Sequence, residues 1–130
     1  MVSKILMVDD DPDIVVAGRI VLEREGYSVE SASSYENGLL VFAETEPDLV
    51  ILDVMMEEPD DGLRLARQIR RQGSAVPILM LTSVNRAMGL HIDKDEEMVP
   101  VDEFVEKPVD PATLLAKVKR LLEGRGEVSW

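Results

Sequence analysis

A short apolar run in residues 48–56, DLVILDVMM, constrains the fold of this chain more than any other feature. Its brevity and its β-branched residues predict a strand that is buried on both faces, because a buried helix would need a longer apolar pattern. Asp53 interrupts the run at the predicted C-terminal end of the strand. In open parallel α/β sheets ligands bind at that edge, since helices cover both faces. A functional site is therefore expected around Asp53.

Apolar patterns along the rest of the chain predict alternating strands and helices. Further strands are predicted at residues 4–8, 27–31, 77–81 and 101–105, and helices are predicted after Asp11 and over residues 35–44, 62–72 and 111–124. Between residues 84 and 100 the pattern supports only one short helix or a loop. The alternation predicts an α/β fold, a doubly wound five-stranded parallel sheet of flavodoxin-like type with strand order 2-1-3-4-5.

Residues at the predicted helix boundaries carry capping signals. Asp11 is placed to cap the first helix, while Ser33 and Glu36 have the spacing of a capping box before the second. Asp61 is predicted to cap the third helix, and Gly124 to end the last one. These signals set the predicted helix limits.

The composition excludes several kinds of site. The chain has no cysteine, which excludes disulfide bonds, thiolate zinc sites and cysteine nucleophiles and fits a reducing compartment. With 26 acidic and 14 basic residues the net charge is −12, so this domain alone is not expected to bind nucleic acid. No apolar segment has transmembrane length, and none has the form of a signal peptide. We expect one soluble, cytoplasmic domain without membrane contact.

Polar side chains follow four of the five predicted strands. Asp9 and Asp10 follow the first strand, Asp53 the third, Thr82 the fourth and Lys107 the fifth. Any one of them would more often be a cap or turn residue, but all five are expected at one edge of the sheet. Three converging carboxylates without His or Cys favour a hard cation, Mg²⁺. A lysine and a hydroxyl beside it complete the groups with which a carboxylate accepts a phosphoryl group.

Four short motifs carry a resemblance to a known family. They read VDDDP at residues 8–12, LDVMM at 52–56, LTS at 81–83 and EKP at 106–108. In this order they resemble the receiver domain of two-component response regulators. The resemblance extends from about residue 4 to residue 122, which is nearly the whole chain.

The resemblance implies a role for each residue at the predicted edge. Asp53 would be the phosphoacceptor and a metal ligand, Asp10 a direct Mg²⁺ ligand with Asp9 assisting, and the backbone carbonyl of Met55 the last protein ligand. Two further residues would bind the phosphoryl group. Thr82 would bind the phosphoryl oxygens, and Lys107 would pair with the negative charge of the phosphate. Phe104 matches the family's aromatic switch position, although a phenylalanine in the core is an equally good interpretation.

The chain departs from the family pattern in two segments. Residues 57–62, EEPDDG, lack the family's early proline and give a longer path to the glycine. Residues 84–100 are longer than usual and lack the Ala-Gly-rich fourth helix. We expect changed loop geometry beside the metal site and an unusual output surface.

The resemblance also implies an organisation and partners. The receiver domain would cover residues 1–124, with a short tail at 125–130 and no output domain. It would catalyse only its own phosphorylation and dephosphorylation. Its partners would be a sensor histidine kinase or phosphotransfer protein and an unidentified target protein, with the last helix and fifth strand as a candidate homodimer surface.

Three alternatives stay open at this point. The chain could be a degenerate receiver that binds proteins without phosphorylation, a Mg²⁺-dependent aspartyl phosphohydrolase, or a fragment of a longer regulator or hybrid kinase. The phosphohydrolase is disfavoured because such enzymes usually carry an acid two residues after the nucleophile, where this chain has Met55. The degenerate receiver is disfavoured because every acidic, hydroxyl and lysine position of the motifs is present.

We predict a comparatively long-lived phosphoryl group. Met55 and Val84 occupy the positions that, in the family, influence how water reaches the acyl phosphate, and neither side chain can orient water. After removal of the phosphodonor, intact-mass measurements over time should show slow loss of the phosphoryl group. Rapid loss from the parent protein would contradict the prediction.

Overall fold

The computed structural model of the chain describes residues 2–54, 56, 60–83 and 101–127 and consists of strands and helices in alternation. The strands are β1 (Lys4–Val8), β2 (Ser28–Ala32), β3 (Leu49–Asp53), β4 (Ile78–Ser83) and β5 (Glu103–Lys107). The helices are α1 (Pro12–Arg24), α2 (Tyr35–Thr45), α3 (Asp61–Arg71) and α4 (Pro111–Glu127). No helix within these residues is long and apolar enough to cross a bilayer.

The five strands form one parallel sheet in the order β2-β1-β3-β4-β5. Both the predicted α/β class and the predicted strand order are confirmed. β3 lies in the middle of the sheet, and all five of its residues are buried. Its register pairs Leu52 with Val8 of β1 and Asp53 with Leu81 of β4, so the strand ends meet at one edge.

Two apolar layers hold the helices against the sheet. On one face Val50 and Leu52 pack with α2 and with Leu65 and Ile69 of α3. On the other face Ile51 packs in the layer that contains residues of α1 and α4. Each fully buried aliphatic side chain contributes about 1.5–3 kcal/mol through removal of its surface from water. The central strand is therefore the common support of both layers.

Of the three predicted N-terminal caps, one agrees with the structure and two differ. Asp11 caps α1, because its side chain accepts a hydrogen bond from the backbone of Asp13. The predicted cap at Ser33 is wrong, since the hydroxyl of Ser34 accepts the bond from Asn37 N at 3.2 Å. Asp61 was predicted as a cap but is instead the first residue of α3, and its buried carboxylate bonds Arg64.

β2, β4 and α3 also differ by one or two residues from their predicted limits, and two further differences have a clear physical reason. α4 continues through Gly124 to Glu127, and Gly124 lacks the positive φ with which Gly26 (+92°) follows α1. β5 begins at Glu103 rather than at residue 101, because Asp102 bonds the start of β4. The segments at 57–59 and 84–100, for which unusual geometry was predicted, lie outside the described residues.

Asp102 connects β5 to its neighbours at the amino edge of the sheet. Its Oδ2 accepts hydrogen bonds from the buried Ile78 N at 2.7 Å and from Arg70 Nη2 at 3.0 Å, while its own N–H donates to Ile78 O at 2.9 Å. Arg70, near the end of α3, also donates to Val76 O at 2.6 Å. These bonds fix the start of β5 against β4 and α3.

Removing the Asp102 carboxylate is expected to destabilise the fold. In Asp102→Ala the buried Ile78 N–H loses its acceptor, and we expect the free energy of unfolding in urea to fall by about 1–3 kcal/mol. Asp102→Asn keeps an acceptor oxygen and loses only a partly exposed ion pair, so its free energy of unfolding should fall by about 1 kcal/mol or less. An equal loss of unfolding free energy in both variants would show that the ion pair, and not the hydrogen bond from the backbone of Ile78, provides the stabilisation.

Candidate functional site

The carboxyl edge of the sheet brings together the polar residues predicted from the sequence. Asp9 directly follows β1, and its N–H bonds Ala32 O at 3.1 Å. Asp53 ends β3, and Lys107 ends β5. Thr82 lies in β4 at the same edge and is buried. Parallel strands made of apolar runs thus deliver their last, polar residues to one location.

Three carboxylates form a compact oxygen cluster at this edge. Ligand atoms of Asp9, Asp10 and Asp53 all lie within 4.8 Å of one another. Asp9 and Asp53 are 1 % and 6 % exposed, whereas Asp10 is open to solvent. Buried carboxylates this close repel one another unless positive charge is nearby.

The cluster fits a hard divalent cation. Asp9 Oδ1 accepts a bond from Asp11 N at 2.9 Å, but its buried Oδ2 accepts no hydrogen bond of ordinary geometry. The only cation beside Oδ2 in the described part of the chain is Lys107 Nζ at 3.2 Å. An all-oxygen donor set, with one exposed carboxylate as an entrance, is the kind that Mg²⁺ prefers. Met55, whose carbonyl was predicted as a ligand, lies outside the described residues.

Lys107 supplies positive charge between the two buried carboxylates. Its Nζ lies 3.2 Å from Asp9 Oδ2 and 3.3 Å from Asp53 Oδ1, and its side chain is one-fifth exposed. Burial alone would lower the pKa of Lys107, but attraction to Asp53 and Asp9 outweighs it, so the net pKa is raised above its ordinary value. The ammonium is therefore charged at neutral pH.

Phe104 lies in β5, between the edge and the apolar layer. It is partly buried and packs against the layer that contains α3. Its register partner is Met80 of β4. Phe104 thus joins the strand that carries Lys107 to the apolar layer.

A groove of about 640 Å³ opens beside the carboxylates between α1 and α2. Asp9 and Asp10 line one end of it, and apolar side chains such as Val16 and Val41 line its walls. The side of the site formed by Asp9 and Asp10 is therefore reachable from solvent.

Sequence reasoning assigned no contact to Gly62, which lies directly against the backbone of Asp53. Its N–H donates to Val54 O at 3.0 Å, and a Cβ at this position would lie 2.1 Å from Asp53 O. The available signal was a glycine in the first turn of a predicted helix, where helix propensity disfavours it. Such a glycine indicates a close backbone approach.

Comparison with known proteins places the chain in a family. The family model described as the response regulator receiver domain matches residues 5–119. The alkaline phosphatase synthesis transcriptional regulatory protein PhoP of Bacillus subtilis is 38% identical over 136 residues, covering 99% of this chain and 52% of that protein. The transcriptional regulatory protein ResD of the same organism is 34% identical, covering 98% of this chain and 51% of that protein.

Solved structures agree with this match. A response regulator receiver domain protein from Clostridium thermocellum has a TM-score of 0.85 and 26% identity, covering 98% of this chain and 99% of that one. The chemotaxis response regulator CheY4 of Vibrio cholerae has a TM-score of 0.81 and 28% identity, with coverage of 93% and 99%.

The chain belongs to the response regulator receiver domain family, as its motifs predicted. Domains of this family are the signalling switches of two-component systems and bind Mg²⁺ in an acidic pocket. The acidic cluster at the carboxyl edge corresponds to such a pocket in its composition. The chain spans about half the length of the curated relatives that it matches.

The raised pKa of Lys107 predicts how its contribution to stability depends on pH. A charged ammonium stabilises the fold below the unfolded pKa of about 10.4, and this contribution disappears as pH rises through the higher folded pKa. We expect Lys107→Met to be about 3 kcal/mol less stable than the parent at pH 7, because two buried carboxylates lose their cation. The difference, measured by urea unfolding, should stay constant from about pH 7 to 9 and shrink above pH ~10.4.

Lys119→Met is the matched control for this measurement. Lys119 makes an exposed ion pair with Glu25 at 3.4 Å, so its loss should cost about 0.5 kcal/mol or less. The raised pKa would be contradicted if the difference in unfolding free energy between the parent and Lys107→Met already shrinks between pH 7 and 9.

Proposed function

We propose that this domain is a phosphorylation-dependent switch in which Asp53 accepts a phosphoryl group from the phosphohistidine of a sensor histidine kinase or phosphotransfer protein. One observation carries the proposal: the Asp53 carboxylate is buried at the sheet edge, 3.3 Å from Lys107 Nζ and within an all-oxygen cluster. A carboxylate in that setting has a positively charged partner and lies in a candidate metal site, and both would offset the negative charge of the incoming phosphoryl oxygens. Family membership and the motif positions support the same assignment.

The transfer needs only the side chains at the carboxyl edge of the sheet and one Mg²⁺ ion. A carboxylate oxygen of Asp53 attacks phosphorus, and the phosphorus–nitrogen bond of the donor breaks. The imidazole nitrogen takes a proton from solvent as it leaves. Lys107, already beside Asp53, pairs with the phosphoryl oxygens, and the Thr82 hydroxyl donates a hydrogen bond to one of them. Bound by Asp9, Asp10 and Asp53, Mg²⁺ would supply positive charge that offsets the carboxylates and the phosphoryl oxygens.

Charge redistribution at Lys107 is the first event of the switch. In the unphosphorylated domain this ammonium is shared between Asp9 and Asp53. A phosphoryl group on Asp53 adds negative charge and draws Lys107 and Thr82 towards it. Lys107 lies on the same strand as Phe104, and Thr82 on the same strand as its partner Met80. A movement at these strand ends therefore reaches the partly buried Phe104 through direct neighbours.

The output of the switch is a protein-binding surface. The named relatives are transcriptional regulators, but this domain has a net charge of −12, which opposes contact with a phosphate backbone. We therefore assign recognition of a protein target, rather than of nucleic acid, to the domain itself.

Phosphorylation can be tested by intact mass. Incubation with Mg²⁺ and acetyl phosphate should add one phosphoryl group to the parent and none to Asp53→Asn, and chelation of Mg²⁺ should abolish the addition. Asp102→Asn, changed at the opposite edge of the sheet, is the matched control and should be modified like the parent. Addition to Asp53→Asn would move the acceptor elsewhere, and no addition to the parent would favour a phosphorylation-independent binding module.

A further inference from the structure

The closest backbone approach at the site joins α3 to the end of β3. A Cβ built on Gly62 would lie 2.1 Å from Asp53 O, 2.7 Å from Val54 Cα and 2.8 Å from Asp53 C. All three obstructing atoms belong to the backbone of the predicted phosphoacceptor and its neighbour. No side-chain rotation can relieve such an overlap.

Both partners in this contact are held firmly. Asp53 is paired in register with Leu81, and Val54 N donates to Leu81 O at 3.0 Å. On the other side, Leu65 and Ile69 anchor α3 in the core, each fully buried. The distance between β3 and α3 is thus set by packing on both sides.

The first turn of α3 has an additional attachment to α2. The Asp61 carboxylate, 4 % exposed, bonds Arg64 Nη1 at 2.8 Å. The Arg64 guanidinium lies over the ring of Tyr35, 4.6 Å from its centroid, in α2. This attachment resists withdrawal of the α3 N-terminus from the sheet edge.

We propose that Gly62 is a positioning residue for Asp53, acting through the Asp53 backbone without contacting the phosphoryl group. This rests on the proposed function of Asp53. Any side chain at Gly62 forces the end of β3 and the start of α3 apart by about 1 Å, the difference between the present approach and a tolerable contact. Because both elements are anchored, neither can absorb the whole displacement, so the end of β3 shifts together with the start of α3 and moves the Asp53 carboxylate relative to Lys107 and Asp9.

Two other helical glycines provide matched controls because their surroundings can give way. A Cβ on Gly18 in α1 would meet only the end of the flexible Met7 side chain, at 2.6 Å from Cε, and Met7 lines a cavity of about 190 Å³ that leaves space for another rotamer. A Cβ on Gly124 in α4 would meet nothing within 4 Å. Alanine raises helix propensity at all three positions, so propensity does not separate them.

The test compares Gly62→Ala with Gly18→Ala and Gly124→Ala in three measurements. These are the rate of phosphorylation by acetyl phosphate at saturating Mg²⁺, Mg²⁺ affinity by calorimetry, and the ¹³C chemical shift of the Asp53 carboxylate without Mg²⁺. We expect Gly62→Ala to lose about 100-fold in rate, since a displacement near 1 Å can cost that much. Its Mg²⁺ affinity should fall and its Asp53 signal should move, while the controls resemble the parent.

Each outcome decides the proposal. A parent-like rate and an unmoved Asp53 signal in folded Gly62→Ala would overturn it, as would equal effects in Gly18→Ala. If the parent itself is not phosphorylated, the proposed function fails but the Asp53 chemical shift still tests the positioning. If Gly62→Ala unfolds, the measurements are repeated in trimethylamine N-oxide, which favours compact states. Failure to fold there would assign Gly62 to the fold and overturn the proposal.

Discussion

One ammonium group between two buried carboxylates is the interaction on which this site depends. Asp9 and Asp53 are almost completely removed from water, and Lys107 lies within 3.3 Å of both. Without that charge the two buried carboxylates would lose their shared cation, a costly change in a low-dielectric setting. In the proposed switch the same ammonium is the group that an incoming phosphoryl would recruit. Stability of the resting domain and the proposed response to phosphorylation therefore share one side chain.

The fold could be predicted from the sequence because its signals are local and mutually consistent. The apolar run ending in Asp53 predicts a central buried strand, and its observed burial is complete. Asp9, Asp10 and Lys107 were predicted at the same edge because each ends or follows a strand, and the structure brings them together with Asp53. Parallel strands leave no other edge for such residues.

What the sequence could not provide were contacts set by tertiary packing. Ser33 and Ser34 are equivalent candidates for a cap until the backbone selects one of them. Asp61 is a residue type that often caps helices, but here its buried carboxylate bonds Arg64. This arrangement depends on how α3 packs against α2. The approach of Gly62 to Asp53 joins two elements across a loop, so no periodic pattern encodes its distance.

The hydrogen bonds of Asp102 have a consequence for changes in the length of the chain. They fix where β5 starts against β4, so that Lys107 arrives opposite Ser83 whatever number of residues joins the two strands. Insertions or deletions between two fixed strands cost little entropy. The chain can therefore gain or lose residues between Ser83 and Asp102 while Lys107 keeps its place at the sheet edge.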